Sequence, residues 1–212
     1  MPRATTKQEC GTAIWKMDAS ISCWLNSGEY KTQIDNLLTD IVRGSELSET
    51  EAETASVFER GLYFLLKTHA NVTIKLRKET NVNYIVHSFS NISRGRLDAV
   101  INNLIIEYKH HSALTSSRKI ISAITQVQDY LNALYNNNRI KYDAILTDGI
   151  HIIYFSFVGD QVKNTTIKNL DIDDIDTIIK AILNNDTKKF EPINIVNDFS
   201  IKLHSNSSDP VQ

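Results

Sequence analysis

The chain has 212 residues, 42% of them hydrophobic and 23% charged, which is the balance of a globular protein with room for one sizeable core. No apolar run approaches the roughly 20 residues of a membrane span, and the start MPRATTKQECGTA lacks the basic segment and apolar stretch of a secretory signal, so a cytoplasmic protein with no membrane contact is expected. A net charge of -2 excludes a polycation drawn to nucleic acid by bulk charge.

Residues 12–26 and 30–43 are predicted as two helices, because Ile34, Leu37, Leu38 and Ile41 recur at helical spacing and the Asn-Ser-Gly at 26–28 separates the pair. Gly44 is expected to end them, making residues 1–44 an N-terminal helical extension. A third helix is predicted from near Ser48, where SETE reads as a capping box, with Ala55, Phe58, Leu62 and Leu65 on one face. The period then changes. VTIKLR, NYIVHSF, RLDAVI and LIIEYK are short β-rich runs separated by Asn, Ser and Gly, the pattern of a strand meander. After the polar loop HHSALTSS, a fourth helix is predicted over Arg118–Leu134, with Ile120, Ile124, Val127, Leu131 and Leu134 as its buried seam. YDAILTDGIHIIYFSFV reads as two strands around the turn residues Asp148 and Gly149. A last helix over 172–184 buries Ile175, Ile178, Ile179 and Ile182. This order implies an α/β fold with a mixed sheet flanked by helices over 45–184, and the Asn-, Asp- and Ser-rich residues 185–212 read as a linker or tail. Cys10 and Cys23 are expected to be buried free thiols of a reducing compartment.

The run GRLDAVINNLIIEYKHH, residues 95–111, sets three ionisable residues among apolar ones, where each costs free energy to bury unless it is partnered. Asn102 and Asn103 suit a two-residue hairpin turn, since Asn tolerates the left-handed conformation. With that turn, Ile101 faces Leu104, Asp98 faces Glu107 and Arg96 faces Lys109. Strict alternation then gives one face to Arg96, Asp98, Ile105, Glu107 and Lys109, and the other to Leu97, Ala99, Leu104, Ile106 and Tyr108. Two carboxylates opposite each other repel unless a cation joins them. A magnesium ion, with manganese as substitute, takes a few carboxylate oxygens and leaves positions for a phosphate oxygen and water. Lys109 would face that water or the developing phosphate charge. The pattern therefore suits phosphodiester hydrolysis, with a salt-bridge ladder on an exposed sheet face as the purely structural alternative. Around it, Arg94, Arg96, Arg118 and Lys119 form a basic zone suited to nucleic-acid phosphates, with solvated surface charge as the plainer reading. His110 and His111, a pair in a polar loop, are left outside the site.

RLDAVINNLIIEYK resembles the D-(x)-E-x-K core of the PD-(D/E)XK, or restriction-endonuclease-like, nuclease superfamily, with Leu97 where the eponymous proline often stands. The resemblance covers roughly residues 48–158. It implies a restriction-endonuclease-like fold, Asp98 and Glu107 as metal ligands, and Lys109 as the core lysine. It also implies an acidic residue on the preceding helix, for which Glu53 is favoured over Glu51 and Glu59. QVQDY is similar to the Q-x-x-x-Y motif of the RecB-like branch, which gives Gln126 and Tyr130 a role near the DNA backbone. TDG within YDAILTDGIHIIYF is similar to a hairpin in the N-terminal nuclease domains of type I and fused restriction–modification enzymes, where it closes the sheet. The function implied is a magnesium-dependent endonuclease acting on double-stranded DNA in restriction–modification or a related defence system. A methyltransferase, translocase or specificity partner, or a longer parent chain, would supply sequence recognition. A RecB-like repair or recombination nuclease and a non-catalytic DNA-binding module are the alternatives.

Overall fold

The structure is a computed structural model that describes residues 19–72, 74, 77–86 and 91–183, with side chains described over 19–72, 74, 96–137 and 139–183. Cys10, the tail 185–212, the beginning of the first expected helix and the side chain of Arg94 lie outside that range. Cys23 is exposed rather than buried, because the short helix α1, Ala19–Leu25, has no fully buried residue.

Helix α2, Gly28–Glu46, is capped by Ser27, whose hydroxyl accepts the Tyr30 N–H. It buries Tyr30, Ile34, Leu37 and Ile41 on one face. The helix runs past Gly44, correcting the expected stop. Gly44 is needed for contact instead: a Cβ there would come within 2.6 Å of Val57 Cγ1, so the glycine allows α2 to approach helix α3, Glu51–His69. The capping box of α3 is built from Thr50 and Glu53, not from Ser48 and Glu51. Ser48 instead donates its hydroxyl to the Gly44 carbonyl.

Strands β1 (Arg77–Val86), β2 (Asn91–Ile101) and β3 (Leu104–Tyr108) form an antiparallel meander. β1 takes only Arg77 from the expected run VTIKLR, whose residues 73, 75 and 76 lie outside the described residues, and continues into NYIVHSF, of which 87–89 lie outside them. Helix α4, Ser117–Asn138, then crosses to β4, Asp143–Thr147, which lies parallel to β3. Strands β5 (His151–Val158) and β6 (Gln161–Asn164) continue antiparallel, and the short β7, Lys168–Asn169, pairs with β5. The last two strands carry little apolar alternation, which is why the sequence pattern passed over them. Helix α5, Ile172–Leu183, closes the described fold.

This is a mixed, open seven-stranded sheet, in the order β1-β2-β3-β4-β5-β6 with β7 on β5, flanked by helices. One face packs Ala99, Ile106, Tyr108, Ile145 and Ile152 against α2, α3 and α5. The other packs Leu97, Val100, Ile105, Leu146 and Phe155 against α4. Every residue of β3 and β4 is buried, as expected of central strands covered on both sides. Helix α2 shares its apolar cluster with α3 and α5. Among the described residues, no helix is long and apolar enough to cross a membrane.

Candidate active site

The ionisable cluster lies at the carboxyl ends of the parallel pair β3 and β4, where Lys109 donates its backbone N–H to the Thr147 carbonyl at 2.9 Å. The β2–β3 hairpin takes the expected register: Ile101 pairs with Leu104, Val100 with Ile105 and Ala99 with Ile106. Asn102 adopts a positive φ of 55° in the turn, the conformation Asn tolerates better than most residues.

Beyond Ala99 the hairpin departs from the strict ladder. Asp98 does not stand as a plain cross-strand neighbour of Glu107; its Oδ2 accepts the Tyr108 N–H at 2.9 Å, a backbone donor that ladder pairing would otherwise satisfy. Leu97 then packs with Val100 and Ile105, on the opposite side from Ala99 and Ile106, where alternation had placed it. The expected pairing of Arg96 with Lys109 is likewise absent from the ladder, in which Arg96 faces Asn81 of β1.

Glu107 is the centre of the cluster and is 2% exposed. Its Oε1 accepts Lys109 Nζ at 3.0 Å and Gln126 Nε2 at 2.9 Å. Its Oε2 is buried and has no hydrogen-bond partner among the described residues. Burial pushes the Glu107 carboxyl up to about 7; the Lys109 ammonium opposes the rise, and the Asp98 charge adds to it. Burial alone would lower Lys109, but Glu107, Glu51 and Asp98 together raise it, so the lysine remains charged.

Gln126 also points Nε2 at the Tyr130 hydroxyl, at 2.9 Å. The spacing of four residues puts both side chains on one stripe of α4, so the structure joins Gln126 to Glu107 and Tyr130 to Gln126. Of the three acidic candidates on α3, Glu51 approaches the cluster, with Oε1 3.9 Å from Lys109 Nζ. The Glu53 carboxylate is turned to the helix start, where Oε2 accepts the Glu49 and Thr50 N–H groups at 2.6 and 3.1 Å. Glu59 is buried on the core side, where burial foremost and the Glu59 charge next hold the Tyr108 hydroxyl in its neutral form.

Arg96 is exposed on β2, and Arg118 and Lys119 are exposed in the first turn of α4. His110, set aside on sequence grounds, is near the cluster: its Nε2 donates to the Ser48 carbonyl at 3.1 Å. The Thr-Asp-Gly turn is packed against the helical layer. Asp148 is fully buried, accepts the Ile150 and His151 N–H groups at 3.0 and 2.6 Å, and meets His151 Nδ1 at 3.1 Å.

Among the described residues, no three His, Cys, Asp or Glu side chains converge as a ready-made metal cage. The donor set nevertheless suits a hard cation such as magnesium, which commonly uses only one or two carboxylates and completes its shell with water and phosphate. The unpartnered Glu107 Oε2 is the atom that fits such an ion most directly. No family model and no curated protein matches the chain.

Proposed function

We propose that the chain is a metal-dependent DNA endonuclease of the PD-(D/E)XK, restriction-endonuclease-like class, serving a restriction–modification or related defence system. The observation that carries this reading is the buried Glu107 carboxylate, which holds Lys109 and Gln126 through one oxygen and leaves the other unpartnered among the described residues. A buried charge kept only for structure is poor support for a fold. A buried carboxylate with one lone oxygen beside a lysine is instead arranged to receive something.

Glu107 and Asp98 are the residues that would hold magnesium, or manganese in its place, and Glu51, 3.9 Å from Lys109 Nζ, would join them through bound water. When bound, the ion would supply Lewis acidity toward a phosphodiester and a more acidic water. Lys109 places a fixed positive charge where the phosphate gains negative charge as water attacks phosphorus and the P–O bond breaks. Gln126 holds Glu107 Oε1 in place, and Tyr130 supports Gln126 from the apolar side of α4. Arg96, Arg118 and Lys119 offer exposed cations to the phosphates of double-stranded DNA on either side of the cut, and Arg94 belongs to the same basic run.

The bond from Gln126 to Glu107 favours one second reading, a RecB-like repair or recombination nuclease; preference for linear over circular DNA would distinguish it. The test is incubation of the purified chain with supercoiled and linear DNA, with magnesium or with chelator. Cleavage that needs the metal and is lost in Glu107→Gln and Lys109→Met is expected. Cleavage that persists in chelator, or equal cleavage by Glu107→Gln, overturns the reading.

A further inference from the structure

We infer that His110 is a positioning residue for this site, holding the turn before α3 so that Glu51 stands against Lys109. The inference rests on the reading of Asp98, Glu107 and Glu51 as the site's carboxylates. Glu51 is the first residue of α3 and more than half exposed, so its own packing does little to fix it. Its direction is set by the backbone of the 47–50 turn.

Among the described residues, that turn is joined to the segment after β3 by one long-range hydrogen bond, from His110 Nε2 to the Ser48 carbonyl at 3.1 Å. A carbonyl only accepts, so Nε2 must carry the hydrogen. Nδ1 is then free to accept from the Ser112 hydroxyl at 3.0 Å, with the Ser112 N–H at 3.4 Å. An Nε2–H donor with Nδ1 as acceptor satisfies both contacts. The ring also packs on His111, with centroids 4.2 Å apart, which limits its rotation. His110 directly follows Lys109, so one short segment carries both the ammonium that Glu51 approaches and the N–H that anchors Glu51's turn. The Ser48 hydroxyl and N–H are tied back to Gly44 and Ser45, so the held carbonyl belongs to a stiff turn.

The test is zero-length carbodiimide coupling of the metal-free full-length chain, read by mass spectrometry as the Glu51–Lys109 isopeptide, with Mn2+ titration of the same proteins. Wild type is expected to form the isopeptide. His110→Ala should lose most of it while keeping Glu107–Lys109 coupling, and His110→Gln, which retains an N–H donor, should recover it. Mn2+ affinity should fall about tenfold in His110→Ala, as is typical when an outer partner of a metal ligand is removed. It should fall no further when His110→Ala is added to Glu51→Gln, because the first acts through the second. Undiminished isopeptide in His110→Ala, or additive losses of Mn2+ affinity, overturns the inference. Should His110→Ala melt below the assay temperature, His110→Phe fills the volume without a donor and the same comparison applies. If wild type binds no Mn2+, the site reading falls, and the isopeptide comparison still decides whether His110 positions Glu51.

Discussion

Replacing Glu107 by Gln should make the metal-free protein more stable at alkaline pH and leave it nearly unchanged in acid. The folded Glu107 carboxyl is displaced from 4.5 to about 7, so the native state holds a proton that the unfolded chain has already released. The Glu107 contribution to stability is therefore fully present below about pH 4.5 and is lost as pH rises through 7. At about 1.4 kcal/mol for each tenfold change in acidity, that displacement corresponds to roughly 3 kcal/mol, of which about 2–3 kcal/mol develops between pH 5 and pH 8.5. Gln keeps the shape and the Oε1 acceptor for Lys109 and Gln126, and it does not titrate. Lys109 keeps access to water and Glu51 at 3.9 Å, so it is not left buried without a partner. Denaturant melts in chelator at pH 5, 7 and 8.5 would measure the difference between the two proteins, and slopes common to both cancel. A difference that is flat with pH, or a Glu107→Gln protein that loses stability as pH rises, would refute the reasoning and mark the cluster as a structural ion pair.

Asp143 offers a second titration outside the cluster. It is 5% exposed, its Oδ2 has no partner among the described residues, and burial pushes its carboxyl from 3.8 up to about 7. Asp143→Asn should gain about 2–4 kcal/mol at pH 8.5 and nearly nothing at pH 4, by the same melts; equal effects at both pH values would contradict this. Gly149 has φ +81°, and a Cβ there would strike the Ser45 side chain. Gly149→Ala should cost about 2–4 kcal/mol in a thermal or denaturant melt, partly recovered by Ser45→Ala. Thr50→Ala should cost about 1 kcal/mol through the lost cap while metal-dependent cleavage remains, whereas Glu51→Gln should leave stability within about 0.5 kcal/mol and lower cleavage. The opposite pattern would return the third carboxylate to Glu53.

Helices α2 to α5 were legible in the sequence because each carries one apolar stripe, as Ile175, Ile178, Ile179 and Ile182 do on α5. The hairpin register was legible because Asn102 and Asn103 stand between two apolar runs. Three features were hidden. Alternation was projected unbroken through Asp98, but a short carboxylate can take a backbone N–H and divert the strand, which reversed the side taken by Leu97. The resemblance implied an acid on α3 without showing which carboxylate faces the cluster: Thr50 caps the helix and occupies Glu53, which leaves Glu51 nearest Lys109. His110 left no pattern at all, because its partner is a backbone carbonyl 62 residues away.

The tight turn at Asn102 and Asn103 also bears on the order in which the chain assembles. Asp98, Glu107 and Lys109 come together through a closure of about ten residues, an event of microseconds for an isolated hairpin. Glu51 arrives only when the α2–α3 pair docks across a much longer loop, which is entropically slower to close. The cluster therefore has a locally encoded half and a remote arm, and it is complete only once α3 is docked on the sheet.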